Sequence, residues 1–461
     1  MRFLLLHIAP PYQIFSMSQK FKSNMSIPPL GLLYIGRSLE DEGHKVEIID
    51  FNIEKQPLQK LTKQLTSADV VGVNVNSFSY KEVEKTTKII RENDPDIPII
   101  IGGPHCCFFP KKSLEDIPNA DISIEGEAEF SIKDAANALQ GKIKLNQIRG
   151  AYFRENKIIK KGKPAEIIKE LDTISFPARH LVEKYDYGKF NEKNFFRKKF
   201  TSVITSRGCP HNCKFCSRKI STFRLFRQRS VQNVIEELVE MNEKYNSAMF
   251  VDDNFFSDKK RVIMLMDEII KNNISIDFVI EGTRVDSVDK NLFKKMKKAG
   301  VKQLYFGIES GNQDVLDFYN KNISLNQIKN AVKLASQMNF LTTGNFIIGA
   351  PIETDKHIEK TMKFACSLPL DVVLFNPLGY VVGSDLWYEA VKQGKISKDE
   401  EYQVISDKKR GLGNFTKEEL DDFCNKAFKK FYLRPNYIMR LLLRVLIRRD
   451  FKLLRLGFDY L

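Results

Sequence analysis

Thr205-Ser-Arg-Gly-Cys209-Pro-His-Asn-Cys213-Lys-Phe-Cys216 holds three of the chain's seven cysteines within eight residues. Gly208 and Pro210 mark the stretch as a loop, and the run Ser202–Ser206 before it reads as a strand. The cysteines therefore stand at a strand's carboxyl end. Thiolates four and three residues apart can close on one face of an iron–sulfur cubane and leave its fourth iron open. The same donors also suit zinc, with His211 completing a Cys3His set, or a catalytic disulfide.

Outward from this loop the pattern repeats. Strand signals fall at Met249–Asp252, Ile276–Glu281, Gln303–Ile308, Asn345–Ile348 and Val372–Asn376. Helical periodicity fills the intervals Val231–Tyr245, Lys260–Asn272, Lys290–Lys298, Leu325–Asn339 and Ile358–Leu368. Six such units over residues 199–385 predict a partial βα barrel. Residues 386–461 read as mostly helical.

Before the loop, short apolar runs at Phe3–Ile8, Lys45–Asp50, Val70–Val75 and Ile97–Gly102 alternate with helices Leu30–Glu42 and Tyr80–Asn93. The alternation predicts an α/β domain over residues 1–145 with a doubly wound parallel sheet. Ligands of such sheets sit in loops at the strands' carboxyl ends, here Pro10–Pro29, Asn76–Ser79 and Gly103–Phe109. Residues 146–198 read as a connector that contains a hairpin turning at Glu155-Asn156 and a basic, aromatic loop from Phe190 to Phe200.

The composition agrees with a folded enzyme-sized chain. It has 461 residues, 43% of them hydrophobic, with 34 Phe and 15 Tyr, which excludes disorder. Seven cysteines are too few for a disulfide scaffold and suit a reducing, cytoplasmic compartment. Met1-Arg2 runs directly into a strand-like segment, which predicts no signal peptide. The net charge is +15, and Lys429–Leu461 carries nine basic residues against two acidic ones. Arg440, Arg444, Arg448 and Lys452 recur every fourth residue and form one stripe of a helix flanked by Leu441, Leu442, Val445 and Leu446. Three readings stand: a helix docked on the body with its charges in water, one packed on the barrel with its arginines paired to body carboxylates, or a peripheral contact with an anionic membrane. No nucleic-acid motif accompanies the charge.

CxxxCxxC with Phe215 before the last cysteine resembles the radical S-adenosylmethionine (SAM) superfamily. Further stretches resemble its cobalamin-binding branch in the order expected along a barrel: Phe250–Phe256, Val301–Gly311, Phe346–Thr354, Pro377–Ser384 and Phe431–Pro435. Ala350 and Ile352 depart from the usual Gly-Leu-Pro-Gly-Glu-Thr. In the amino-terminal domain Pro28–Tyr34, Gly43-His44, Gly102–His105 and Glu125–Glu129 are similar to the cobalamin-binding domain fused to these enzymes. The Asp-x-His-x-x-Gly pattern whose histidine ligates cobalt is missing, which implies cobalamin bound without a protein imidazole.

The resemblance implies a 4Fe–4S cluster on Cys209, Cys213 and Cys216, SAM chelating the open iron, and cobalamin. Phe215, Asp252, Asp253, Arg284, Glu309 and Glu353 are the implied SAM contacts. Ser77, Gly102, Gly103, Pro104 and His105 are the implied cobalamin contacts. An external electron donor would reduce the cluster and release a 5′-deoxyadenosyl radical, and a methyl group carried by cobalamin would pass to an unactivated carbon. The alternative within the family is radical chemistry without methyl transfer, such as cyclisation, cross-linking or lipid modification. A zinc-stabilised binding protein is the alternative outside it. The substrate, a lipid or a protein among others, is not encoded in any stretch of the chain.

Overall fold

Arg2–His7 (β1) forms six parallel residue pairs with Lys45–Asp50 (β2) and five with Val70–Asn74 (β3). The structure is a computed structural model and describes residues 1–8, 26–190, 193–194, 199–217, 225–399 and 401–448. Ile99–Gly102 (β4) and Ile122–Ile124 (β5) extend the parallel sheet. Leu4, Leu6, Val71, Val73, Ile99 and Ile101 are all buried, as expected for parallel strands covered on both faces. The strand order is β2-β1-β3-β4-β5, followed by the antiparallel pair Ala151–Glu155 (β6) and Ile158–Lys161 (β7). The hairpin read as part of a connector is thus the edge of this sheet. Phe153 and Ala151 face Ile122 and Ile124 across it and are buried.

The order fixes where a ligand belongs. The chain winds one way from β1 to β2 and the other way to β3, so the crevice opens between the carboxyl ends of β1 and β3. The first expected ligand loop, Pro10–Pro29, lies mostly outside the described residues, as does most of the Phe190–Phe200 loop.

The second unit carries six parallel strands in sequence order: Phe200–Val203 (β8), Ser247–Phe250 (β9), Asp277–Thr283 (β10), Val301–Glu309 (β11), Leu341–Ile348 (β12) and Val372–Pro377 (β13). This is the partial barrel that the repeated pattern predicts. Its strands bury Phe278, Ile280, Leu304, Phe306, Phe346 and Phe375 against the intervening helices. Those helices start on polar caps. Ser230, Asp258, Asp289 and Ser324 each accept a hydrogen bond from the backbone N–H three residues on. A cap of this kind is worth ~1 kcal/mol. Helix Leu325–Gln337 then buries Ile328, Ala331, Val332 and Ala335, the i, i+3, i+4, i+7 stripe that faces a core.

Beyond β13 the chain is helical, with Asp385–Lys392, Lys417–Tyr432 and Pro435–Arg448, plus the short antiparallel pair Gly379–Val381 and Gln403–Ile405. The final helix decides between the readings of the basic stripe: its described arginines turn to a carboxylate of the body rather than to solvent. Arg444 is 8% exposed; its guanidinium pairs with buried Asp371 and donates to Ser336 Oγ at 2.7 Å. Arg440 donates to the Leu370 carbonyl and stands 3.9 Å from Asp371. Tyr437 Oη donates to the Asp371 carbonyl at 2.8 Å. The stripe is turned inward because a buried carboxylate needs a partner, and Asp371 begins the turn into β13. The Arg448 side chain and Lys452 lie outside the described residues. Among the described residues no helix is long and apolar enough to cross a membrane.

Candidate functional site

The cysteine loop hangs from the end of β8 by carboxylates of the neighbouring strand. Asp252, fully buried, accepts from the Thr205 N–H at 3.1 Å, Thr205 Oγ1 at 2.8 Å and Ser206 Oγ at 2.5 Å. Burial pushes its carboxyl above the usual range. Arg261 completes the tie by donating to the Thr205 carbonyl at 3.1 Å. The sequence reading aims Asp252 at a ligand; the structure turns it inward to anchor the loop. Asp253 stands one residue further out and accepts the Gly208 N–H at 3.1 Å, immediately before Cys209. Gly208 takes φ +88°, a conformation that side chains disfavour, to start the turn.

Cys209, Cys213 and Cys216 are free thiols, Cys213 buried and the other two half-buried. The Cys216 N–H donates to the Cys213 carbonyl at 3.1 Å, which folds the CxxC segment into a tight turn. Burial raises the Cys209 and Cys213 thiols, while Arg284 and, at Cys213, Lys321 pull them down. The loop's return is fastened to Tyr319 and Asn320: the Lys214 N–H donates to the Tyr319 carbonyl at 2.9 Å, and Asn320 Nδ2 to the Asn212 carbonyl at 2.9 Å. The Phe215 ring meets the Tyr319 ring edge-on with centroids 5.1 Å apart.

Two buried cations border these cysteines. Arg284 holds Asp286 with two hydrogen bonds, at 3.1 and 2.8 Å, and donates to the Lys321 carbonyl at 2.9 Å. Lys321 Nζ lies 2.6 Å from Glu309 Oε1 and 5.8 Å from the Phe215 ring centre. Glu309 takes φ +64° at the end of β11, a conformation rare outside glycine. A side chain at Gly307 would begin 2.7 Å from Glu309 Oε1 and 2.9 Å from Lys321 Nζ, so this glycine leaves room for the pair. Phe215, Arg284 and Glu309 are thus brought to one place, and Asp253 reaches the cysteine loop from the end of β9 through the Gly208 N–H.

Glu353 is fully buried and folds back on its own turn. Its Oε2 accepts the N–H groups of Gly349 at 2.6 Å and Ala350 at 2.9 Å, while Oε1 has no hydrogen-bond partner. Burial pushes the carboxyl up to about 7. It closes the turn after β12 rather than charging the next helix, which starts instead on a Thr354–His357 capping box.

This region fits an anionic cluster held by thiolates. Three free cysteines share one loop, and two buried cations, Arg284 and Lys321, adjoin them and oppose the burial that raises the thiols. Among the described residues no three His, Cys, Asp or Glu side chains come together as around a single ion. A four-iron cluster spreads its cysteines, one thiolate to each iron.

In the first unit the predicted cobalamin contacts also converge. Ser77 Oγ lies 3.2 Å from His105 Nδ1, which joins the loops after β3 and β4. The Val75 N–H donates to the Gly102 carbonyl at 2.7 Å, and the His105 N–H to the Val75 carbonyl at 3.1 Å. His105 is buried, stacks on Tyr80 with centroids 5.4 Å apart, and is kept neutral by burial, its pKa lowered to about 4. Gly103 takes φ +110° and ψ −171°, and Pro104 opens the short helix that follows. A Cβ at Gly103 would begin 3.0 Å from both Asn74 Nδ2 and the Val75 carbonyl oxygen. The bare backbone there lies at the carboxyl ends of β3 and β4, beside the switch-point crevice.

Lys321 has no sequence signal of its own. It is a single lysine between Asn320 and Asn322, in a turn between two helices, where neither periodicity nor spacing marks it. Tyr319 is missed for the same reason.

Residues 203–365 match the radical SAM superfamily, and residues 21–135 match the B12 binding domain. The chain is 32% identical over 419 residues to a Pyrococcus horikoshii protein described as an uncharacterized methyltransferase, PH0819, covering 90% of this chain and 89% of that one. It is 27% identical to the cytidylyl-2-hydroxyethylphosphonate methyltransferase of Streptomyces wedmorensis, covering 88% and 86%. Among solved structures, the cobalamin-dependent SAM radical enzyme OxsB with aqua-cobalamin and SAM bound superposes with a TM-score of 0.72 at 17% identity, over 99% of this chain and 72% of that one. That last likeness is one of fold.

Proposed function

The chain belongs to the cobalamin-binding branch of the radical SAM superfamily, and from that membership we propose that it transfers a methyl group to an unactivated carbon of its substrate. Its cofactors are a 4Fe–4S cluster, SAM and cobalamin, and an external reductant supplies the electron. The observation that carries the reading is the loop of three free cysteines at the carboxyl end of β8, flanked by Lys321 and Arg284. The match over residues 203–365 removes the zinc-stabilised alternative.

In this reading Cys209, Cys213 and Cys216 ligate the cluster. Asp253 holds the first turn of the loop through Gly208. Lys321 and Arg284 offset the negative charge gathered there, and Glu309 orients Lys321. Ser77, Gly102, Gly103, Pro104 and His105 line the cobalamin crevice, with Gly103 letting the backbone approach the ligand. When bound, the cluster and SAM supply the radical that removes hydrogen from carbon, and cobalamin supplies the methyl group. Cobalamin binding is assigned to residues 1–145 and cluster chemistry to 199–385. All seven cysteines are free, which suits a reducing cytoplasm.

Anaerobically reconstituted protein tests this. Iron and acid-labile sulfide should be present, and SAM should yield both 5′-deoxyadenosine and S-adenosylhomocysteine once substrate is supplied. Cys209→Ala/Cys213→Ala/Cys216→Ala should lose iron and SAM cleavage while still binding cobalamin. Deoxyadenosine without S-adenosylhomocysteine would move the reading to non-methylating radical chemistry.

A further inference from the structure

The final helix, Pro435–Arg448, turns Arg440 and Arg444 toward Asp371 and leaves the opposite face bare. Met439 is 61% exposed, Leu442 47%, Leu443 53% and Leu446 68%. These four stand at i, i+3, i+4 and i+7 and share one face. Leu433 and Ile438 add to it at the amino-terminal end. Elsewhere in the described residues exposed large apolar side chains are scattered; here they are contiguous. We propose that this face is a membrane-docking surface: Met439, Leu442, Leu443 and Leu446 enter the acyl boundary of an anionic leaflet.

Charge complementarity selects that partner. Lys426, Lys429 and Lys430 are exposed on the helix that leads into this one. The sequence from Lys429 onward carries nine basic residues against two acidic ones. An apolar helix face that follows a cluster of exposed lysines has the make-up of a helix lying in the plane of a membrane interface. Anionic lipids attract such cations at close range. Area argues against a second copy of the chain. Met439–Leu446 spans about 11 Å of a helix ~10 Å across, whereas each partner in a standard protein interface buries ~800 Å². The contact differs from the one that a basic stripe predicts. Arg440 and Arg444 are engaged by the body, so apolar insertion carries the contact and the exposed lysines select the lipid.

Vesicle flotation of the full chain tests the proposal, using phosphatidylcholine vesicles with and without one third phosphatidylglycerol. The chain should float with the anionic vesicles. Leu442→Ser/Leu443→Ser/Leu446→Ser should reduce the floated fraction about ten-fold while leaving cluster content and SAM cleavage unchanged, since these side chains are exposed and outside the site. Salt should weaken flotation without abolishing it, because screening acts on the lysines alone. A Leu443→Trp chain reports the occupant directly, with buried Trp387 as constant background. Its emission should shift to the blue only when anionic vesicles are added. Flotation of the triple variant equal to the parent, or no flotation of the parent, overturns the proposal. So does a blue-shifted emission in dilute buffer, which would mean that the chain's own last residues cover the face. A shift that grows with protein concentration would assign the face to a second copy and overturn it equally.

Discussion

Lys321 Nζ lies 2.6 Å from Glu309 Oε1, and both side chains are at most 9% exposed. The pair sits beside the cysteine loop, where burial raises the Cys213 thiol and Lys321 opposes it; Lys321 also lies over the Phe215 ring. A buried pair of this kind is costly to break from one side, about 3–5 kcal/mol, because the survivor is an uncompensated buried charge. Lys321→Met should therefore lower stability by that order in denaturant unfolding and abolish SAM cleavage. The double variant Lys321→Met/Glu309→Gln removes both charges and should recover most of the stability. SAM cleavage should stay lost in it. Recovery of cleavage together with stability would reduce the pair to a structural one.

Gly103 marks the cobalamin crevice in the same way. Its φ of +110° with ψ of −171° lies in a region open essentially to glycine alone. A methyl group there would also press on Asn74 Nδ2 and the Val75 carbonyl oxygen at 3.0 Å. Gly103→Ala should cost ~1–3 kcal/mol of local strain and displace the backbone between β4 and His105. Cobalamin titration followed by its visible absorbance should show affinity reduced at least about ten-fold. Iron content should be unchanged, because the cysteine loop belongs to the other unit.

Legibility in the sequence tracked the kind of signal each element leaves. Val70–Asn74 and Ile99–Gly102 are β-branched runs and read directly as buried strands. Ile122–Ile124 has three residues and was too short to read; it exists because β4 and the hairpin pair with it on either side. β12 begins at Leu341, earlier than its apolar run suggests. The polar Thr342 and Thr343 are accommodated by Asp371 and Gln303, partners that only the fold supplies. The three cysteines were legible from spacing alone. Lys321 was not, and for the arginine stripe the sequence leaves open both the inward turn and its partner, since Asp371 lies far off in sequence. Asp252 was found for the wrong reason: the motif marks the strand end, and burial decides which of two adjacent carboxylates faces in.

Asp371 gives the carboxyl-terminal helix its anchor. It accepts the Thr342 N–H at 2.9 Å, pairs with Arg444, and is 5% exposed. Arg444→Met keeps much of the side chain's bulk but leaves this carboxylate without its guanidinium. The expected cost is about 3–5 kcal/mol, read as a lower midpoint in urea. Asp371→Asn/Arg444→Met should be more stable than Arg444→Met alone. An exposed charge stripe would instead tolerate Arg444→Met within about 0.5 kcal/mol.

Glu353 should make stability depend on pH in the direction opposite to most carboxylates. Burial lifts its carboxyl from 4.5 to about 7, against the two backbone N–H groups that favour the charged form. The folded chain therefore keeps a proton that the unfolded chain has released. Stability from this group is fully present below pH 4.5 and is lost as pH rises through about 7. The full loss is on the order of 3 kcal/mol, taking 1.36 kcal/mol for each pH unit between the two values. Glu353→Gln retains an oxygen for Gly349 and Ala350 and cannot ionise. Urea midpoints measured from pH 5 to pH 8 should fall for the parent chain and stay nearly level for the variant across that window. Parallel falls in both chains would place the titrating group elsewhere.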